Sequence, residues 1–467
     1  MNTRFVSIWF SAVVLILLSS QKAFSSVLIN GSCHLSQLDA VSGKLLAKEL
    51  EFLRLNTRLK LYSLPHGPWS ARRQASIGFT NATLTATGAL INGTGRLHFL
   101  GKRAPSPLFE NAGIVRFMAN CVSTGAAVYE FGNDCIVDWK ERRNGSSLKI
   151  VHARAIQLKG EIEELINERN SLLESANYDG EKRRVLTKES EILSCLADSA
   201  ASEFALYYAR AKGNRTARRF GYLITITSNV ASGAGTLVGI EANHLHGLSA
   251  VRRVHMGGVG GICDIITGSL NIASPVLTRS AAAVQRKLSQ NELCTELGCK
   301  QNQSLLTLEE QLAKYENSSS DAASLELHGV VLRKEALKAS AEILKKRNDM
   351  LASEHKAARA RFIENMAVSS IAGGSKIANG IGGTIGAYKF TRDGYHRAEV
   401  QGGTAIAYGA GNILAALETA RVRLGDEYKL FHKKGPSKEE ILNQQLKRLE
   451  SLQTTPQLAA SPAQQTM

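Results

Sequence analysis

The chain has 467 residues, 44% of them hydrophobic, and a formal net charge of +16. This length allows two to four domains, and the apolar fraction is sufficient for a folded core. Aromatic residues make up only 6% while glycine numbers 40, so the core must use aliphatic and small side chains. The basic charge favours an anionic membrane or an anionic cell-envelope polymer as a partner. The scarcity of aromatic rings that could stack on bases argues against nucleic acid.

The N-terminus has the features of a secretory signal peptide. Arg4 precedes the apolar run FVSIWFSAVVLILL, and Ala23-Phe24-Ser25 supplies the small residues needed for cleavage after Ser25. The sequence therefore predicts export, to the periplasm, the cell-envelope membrane or the outside of the cell. An uncleaved N-terminal anchor is the alternative.

Three segments of the remaining chain resemble one another. Each begins with Ala and paired or near-paired Arg and then turns small and uncharged: ARRQASIGFTNATLTATGALING, ARRFGYLITITSNVASGAGTLVG and ARARFIENMAVSSIAGGSKIANGIGG. A second small-residue stretch follows each one, and Gly113, Gly258 and Gly403 in those stretches are spaced by 145 residues. Self-similarity at a fixed spacing is typical of repeat architectures. We predict an all-α protein of three diverged units of about 145 residues.

Charged helical arms separate the small-residue pairs. Val330, Leu337, Leu344 and Leu351 recur every seven residues in the third arm, which predicts amphipathic, coiled-coil-like helices. The turn-forming stretches NYDG and NSSSDAAS interrupt the arms, so each arm is expected to fold back on itself. Each unit would then combine a charged arm with a Gly/Ala-rich helical hairpin.

These patterns give a domain organisation. The expected segments are a signal peptide (1–25), a first unit of a helix and a small-residue hairpin (26–137), two further units of a helical arm and a Gly-rich hairpin (138–281 and 282–423), a C-terminal helix (424–453) and a disordered tail (454–467). Ser437 and Glu440 form a capping box in the C-terminal segment. Residues 76–95 are rich in Thr and contain Asn92-Gly93, which suits a β-hairpin; the repeat favours a helix, with a part-β first unit as the alternative.

The glycines have three possible roles. Gly233-x-Gly235-x3-Gly239 resembles a dinucleotide fingerprint but lacks the acidic residue expected about 20 positions later, so no cofactor is predicted. The GxxxG pairs instead predict close helix packing, either in lipid or in a water-soluble bundle. These pairs are Gly235 with Gly239, Gly257 with Gly261, and Gly382 with Gly386.

The distribution of charge does not decide whether these helices pack in a membrane or in a water-soluble bundle. Residues 220–240 carry no formal charge and are long enough to cross about 30 Å of hydrocarbon. Arg116, Asp264 and Lys376 interrupt three of the six apolar segments. In a membrane, each of these three side chains would have to face the bundle interior or a water-filled path.

Few residues suggest site chemistry. His244, His246 and His255 are weak candidates for a metal site, and the expected outcome is no metal. Cys294 and Cys299 are close enough in sequence for a local disulfide, and Cys121 and Cys135 flank a turn-like stretch and form a second candidate pair. No metalloprotease, nucleophile-elbow or phosphate-loop motif occurs.

The leading functional hypothesis is therefore non-catalytic. It is an exported, envelope- or membrane-associated helical scaffold or assembly protein that packs through glycine-rich helices and contacts its own copies or another helical protein. The alternative is a membrane-inserting pore or permeation protein. An enzyme of unrecognised type is the third possibility.

Overall fold

The structure is a computed structural model that describes residues 32–63, 67–100, 106–143, 147–175, 178, 180–244, 249–299, 305–318, 325, 327–432 and 437–454. Ten helices lie in these ranges: α1 (Ser32–Ser63), α2 (Gly67–His98), α3 (Ser106–Arg143), α4 (Leu148–Ser175), α5 (Gly180–His244), α6 (Ala250–Glu296), α7 (Leu305–Ser318), α8 (His328–Tyr388), α9 (Gly394–His432) and α10 (Lys438–Thr454). The described residues contain no strand. The all-α prediction is confirmed, and residues 76–95 are helical.

Two very long helices connect the two parts of the molecule. α5 has 65 residues and α8 has 61, which corresponds to a length of roughly 90–100 Å each. Their first halves lie in a bundle with α1, α4, α7 and α10, which we call the stalk. Their second halves pack with α2, α3, α6 and α9 in an assembly that we call the ring.

The stalk has three inner helices. α1 and the first halves of α5 and α8 run parallel, and their heptad positions are buried at matching levels. Leu46, Leu193 and Leu337 are at most 1% exposed, and the hydrogen-bond register places them at one level. Three shorter helices lie outside and antiparallel to this core: α4 contacts α1 and α5, α7 contacts α5 and α8, and α10 contacts α1 and α8. The heptads of the arms thus predicted the buried faces of the stalk.

Buried ion pairs fix the register between the inner helices. Arg333 Nε lies 2.6 Å from Glu189 Oε1, and Arg347 Nη1 lies 2.9 Å from Glu203 Oε2. Burial acts to raise the pKa of Glu189, but Arg333 and Arg169 outweigh burial and hold that pKa below its ordinary value. Because a one-turn slip would leave these charges buried without partners, the pairs disfavour any other register.

The ring is closed. Its six helices contact one another in the cyclic order α2, α3, α5, α6, α8, α9 and back to α2, and each neighbour runs antiparallel to the next. The closing contact brings α9 against α2, where a methyl group placed on Gly93 would lie 2.6 Å from Ile406 Cγ1. Small residues allow these backbones to approach closely.

Four of the six glycines of the GxxxG pairs lie against a neighbouring helix. Gly235 faces Cys263, Gly261 faces the backbone of α8, and Gly382 and Gly386 face α9. The prediction was wrong for Gly239 and Gly257, where a methyl group would meet nothing within 4 Å. In each of those two GxxxG pairs only one member faces a neighbouring helix, because the pair spacing alone does not fix where two helices cross.

The C-terminal region differs from the expected segments. α9 continues to His432, so the predicted helix over 424–453 is divided between α9 and α10. The capping box is confirmed: the Glu440 backbone N–H donates to Ser437 Oγ, and the Ser437 N–H donates to Glu440 Oε2. The predicted signal peptide and residues 455–467 of the predicted tail lie outside the described residues.

Candidate functional site

The three charged residues that interrupt apolar segments lie close together inside the ring. Arg116 Nη2 donates to Asp264 Oδ2 at 2.8 Å, and Lys376 Nζ lies 4.0 Å from Asp264 Oδ1. They come from α3, α6 and α8, so three helices of the ring supply one charged cluster. The side chains of Asp264 and Lys376 are each 7% exposed, and the cluster is shielded from the ring's exterior.

Neutral polar groups complete the cluster. Asn379 Nδ2 donates to Asp264 Oδ2 at 2.7 Å, and Lys376 Nζ donates to Ser232 Oγ at 2.8 Å. The Arg116 guanidinium lies 5.4 Å from the centroid of the Tyr408 ring, within the range of a cation–π interaction. Asp264 is therefore the shared acceptor of the cluster.

A polar cavity of about 60 Å³ lies beside the cluster. Every helix of the ring contributes to its wall, so the cavity lies on the axis of the ring. Its lining consists of Asn81, Thr85, Asn120, Asn229, Asn271, Ala372, Lys376, Tyr408 and Asn412. The order along the helices places this cavity between the charged cluster and the stalk.

The asparagines were missed at the level of sequence. Asn81, Asn120, Asn229, Asn271 and Asn412 each stand in a stretch that is otherwise small and apolar. A buried amide is unfavourable unless it is hydrogen-bonded. The recurrence of asparagine in these apolar segments could therefore have indicated that the five side chains face a shared polar interior. Two bonds illustrate the point: Asn229 Nδ2 donates to Ser123 Oγ at 2.8 Å, and Ser228 Oγ donates to Asn271 Oδ1 at 3.1 Å.

The outer surface of the ring has the opposite character. Large apolar side chains are exposed on all six helices, including Phe79 (55%), Met118 (55%), Val230 (56%), Ile266 (51%), Ile385 (40%) and Leu417 (57%). α5 and α6 are each long and apolar enough to cross a membrane, and 22% of the most apolar window of each is buried. Core helices of soluble proteins can have the same length and composition. The directions in which the polar and apolar side chains point are therefore more informative about the surroundings of the ring.

The histidine candidates form no site in the part of the chain that can be described. Within it, no group of three or more His, Cys, Asp or Glu side chains could hold a metal ion. The ring of His255 packs in a tilted arrangement against the ring of Tyr388, with a centroid separation of 4.9 Å. His246 and the side chain of His244 lie outside the described residues.

The two cysteine pairs differ. Cys121 and Cys135 are both exposed thiols on α3, and 14 positions of helix separate them by roughly 21 Å. A disulfide between them is ruled out, because its Cα atoms must lie within about 7 Å. Cys299 N–H donates to Cys294 O at 2.9 Å; both thiols are free, and burial raises the pKa of Cys299 to about 12. The disulfide between Cys294 and Cys299 stays a prediction.

Comparison with known proteins identifies no relative of this chain. No family model, no curated protein and no solved structure matches the chain.

Proposed function

We propose that the ring spans a membrane and encloses a closed permeation path for small polar solutes, with the stalk projecting from one side. The observation that supports this proposal is the inverted polarity of the ring, whose charges and asparagines face inwards while large apolar side chains face outwards on every helix. In water such an exposed apolar surface is unfavourable. In lipid it is the expected surface.

The length of the apolar band supports the same proposal. Each ring helix has a stretch of 18 to 25 residues without an outward-facing charge: 74–95, 111–129, 220–240, 254–278, 365–388 and 400–417. At 1.5 Å per residue these stretches are about 27–38 Å long, close to the thickness of bilayer hydrocarbon. The only charges inside them are Arg116, Asp264 and Lys376, which lie in the inner cluster.

Charged residues border this band near the stalk. Arg73 pairs with Glu130 at 2.7 Å, and Arg219 pairs with Asp138. Trp139 is 58% exposed next to these pairs, as is common for tryptophan at a membrane interface. The arginine pairs that open each apolar segment would therefore stand at the boundary between lipid and water.

The finer architecture is part of this proposal. Three units of about 145 residues would each supply one inner stalk helix and two antiparallel ring helices, and a closed ring would follow from repeating that element. Support comes from bonds between residues 144 positions apart: Arg333 with Glu189, Arg347 with Glu203, and Lys376 with Ser232. Export to a cell envelope, contact with anionic lipid or polymer, and a non-catalytic role belong to the same hypothesis.

A scaffold remains the second candidate, and the stalk favours it. α1 alone, at 32 residues, is about 48 Å long, and the stalk surface carries many exposed charges. A scaffold requires the ring only as an anchor. A permeation path additionally requires that the inner cluster can open.

Cysteine labelling tests the membrane part of the proposal. Cys121 and Cys135 are both exposed on α3, but Cys121 lies in the middle of the apolar band and Cys135 lies beyond Glu130, at its border. In vesicles, a membrane-impermeant maleimide should label Cys135 and leave Cys121 unlabelled until detergent is added. Single-cysteine variants make the two sites a matched pair. Equal labelling of both without detergent would contradict the membrane proposal.

Ion flux from the same vesicles tests permeation. We expect Asp264→Ala to raise flux, because Arg116 and Lys376 lose their shared counter-charge and repel each other. Asp393→Ala, at the exposed turn before α9, is the control and should leave flux unchanged. Protection of Cys121 together with no flux from the wild type or Asp264→Ala would favour the scaffold over the permeation path.

A further inference from the structure

We propose that the ring cavity binds one small monovalent inorganic anion of the size of chloride, with Lys376 as its cationic ligand. We also propose that the path passes anions in preference to cations; this second statement rests on the proposed function, whereas the binding site does not.

The charge balance of the cluster carries the inference. Asp264 is compensated by Arg116 at 2.8 Å and accepts a further bond from Asn379 at 2.7 Å. Lys376 lies 4.0 Å from Asp264, beyond hydrogen-bond distance. Two buried cations therefore share one buried carboxylate, and the cluster keeps one net positive charge. Such a charge is unfavourable in a low-dielectric interior unless a counter-ion accompanies it.

Lys376 has donors to offer an anion. An ammonium group carries three N–H donors, and its one hydrogen bond within the described part of the chain goes to Ser232 Oγ at 2.8 Å. The same side chain lines the cavity and is the only charged one among the described residues of its wall. A cation in the cavity would meet Lys376 with no carboxylate from those residues to balance it.

The neutral wall suits a partly dehydrated ion. Five asparagines line the wall. The amide nitrogens of Asn229 and Asn412 already donate one bond each, to Ser123 Oγ and Tyr408 O, both at 2.8 Å. Asn271 Oδ1 accepts from Ser228 at 3.1 Å, and the amide nitrogen of Asn271 donates to none of the described residues. The volume of about 60 Å³ accommodates a few water molecules, or one small anion with part of its hydration shell.

Thermal unfolding of the full-length protein in detergent tests binding without relying on transport. Sodium chloride, bromide and nitrate are each compared with sodium isethionate, a bulkier anion, at constant ionic strength. A ligand that binds only the folded state raises the melting temperature, and we expect a rise on the order of 2 °C near saturation. Lys376→Gln should abolish the rise, Lys376→Arg should retain it in part, and Lys389→Gln, on the exposed end of α8, should retain it fully.

The outcomes separate the two proposals. If the wild type shows no difference between small anions and isethionate, or if Lys376→Gln keeps the full rise, the anion site is refuted. If Lys376→Gln does not fold, Lys376→Arg and the ion series on the wild type decide the question. Flux from vesicles in a tenfold KCl gradient should give a reversal potential on the chloride side, and a potassium-selective current would refute the anion preference. An anion-dependent melting temperature without flux would refute permeation and leave the site in place.

Discussion

A matched pair of glycines on α6 provides the sharpest test of the ring. Gly261 and Gly257 lie one helical turn apart, but a methyl group on Gly261 would come within 2.6 Å of Gly380 O and 2.8 Å of Thr384 N, while one on Gly257 would meet nothing within 4 Å. Both of these atoms belong to the α8 backbone, so they cannot move aside as the Thr384 side chain, whose Oγ1 is also within 2.8 Å, could.

The two alanine substitutions should therefore have opposite effects on the free energy of unfolding. Alanine is a better helix former than glycine by about 1 kcal/mol, and at Gly257 nothing opposes that gain. At Gly261 the added methyl group forces α6 and α8 apart, and overpacking of this kind costs about 1–3 kcal/mol. We expect Gly257→Ala to stabilise by about 0.5–1 kcal/mol and Gly261→Ala to destabilise by about 1–2 kcal/mol.

Denaturant unfolding of both full-length variants and the wild type, in one detergent, measures this difference. Gly380→Ala is a second check, because its methyl group would lie 2.5 Å from Gly261 O at the same crossing. It should destabilise by a similar amount. Equal effects at Gly257 and Gly261, or stabilisation at Gly261, would refute the close approach of α6 and α8 and with it this side of the ring.

Two predictions concern the stalk. Glu49 is fully buried, neither of its carboxylate oxygens has a hydrogen-bond partner among the described residues, and burial raises its pKa well above the ordinary value of 4.5. Folding therefore takes up a proton at Glu49, and the free energy of unfolding should fall as pH rises above about 4.5. Urea unfolding between pH 5 and 8 measures this fall, which should be smaller in Glu49→Gln than in the wild type. An unchanged slope in the variant would count against a neutral Glu49. Arg347→Ala should destabilise the protein by about 3–5 kcal/mol because it leaves Glu203 buried without its charged partner. The control Lys346→Ala, at the exposed neighbouring position, should change stability by less than about 0.5 kcal/mol. Similar values for the two variants would contradict the buried ion pair that fixes the register.

The sequence by itself determined the all-α class and the local signals. Heptad spacing identified the buried faces of the arms, the capping box identified the start of α10, and the absence of charge from residues 220–240 identified a possible span. These features are local, because a helix of known periodicity presents its apolar residues to one side whatever lies there. Arg116, Asp264 and Lys376 were recognised as anomalous for the same reason, since a charge in an apolar segment must find an interior.

Tertiary structure alone decided which groups meet. The contact of α9 with α2 closes the ring, inside which Arg116 and Lys376, each more than a hundred residues from Asp264 in sequence, lie beside that one carboxylate. The tertiary structure also distinguished Gly261, which lies against α8, from Gly257, which does not. It ruled out a disulfide between Cys121 and Cys135, because both lie on one uninterrupted helix. The physical reason is that periodicity fixes the direction of a face, whereas the partner and the crossing point depend on the axial register of two helices. That register is set by interactions distant in sequence, such as the buried pair of Arg347 with Glu203.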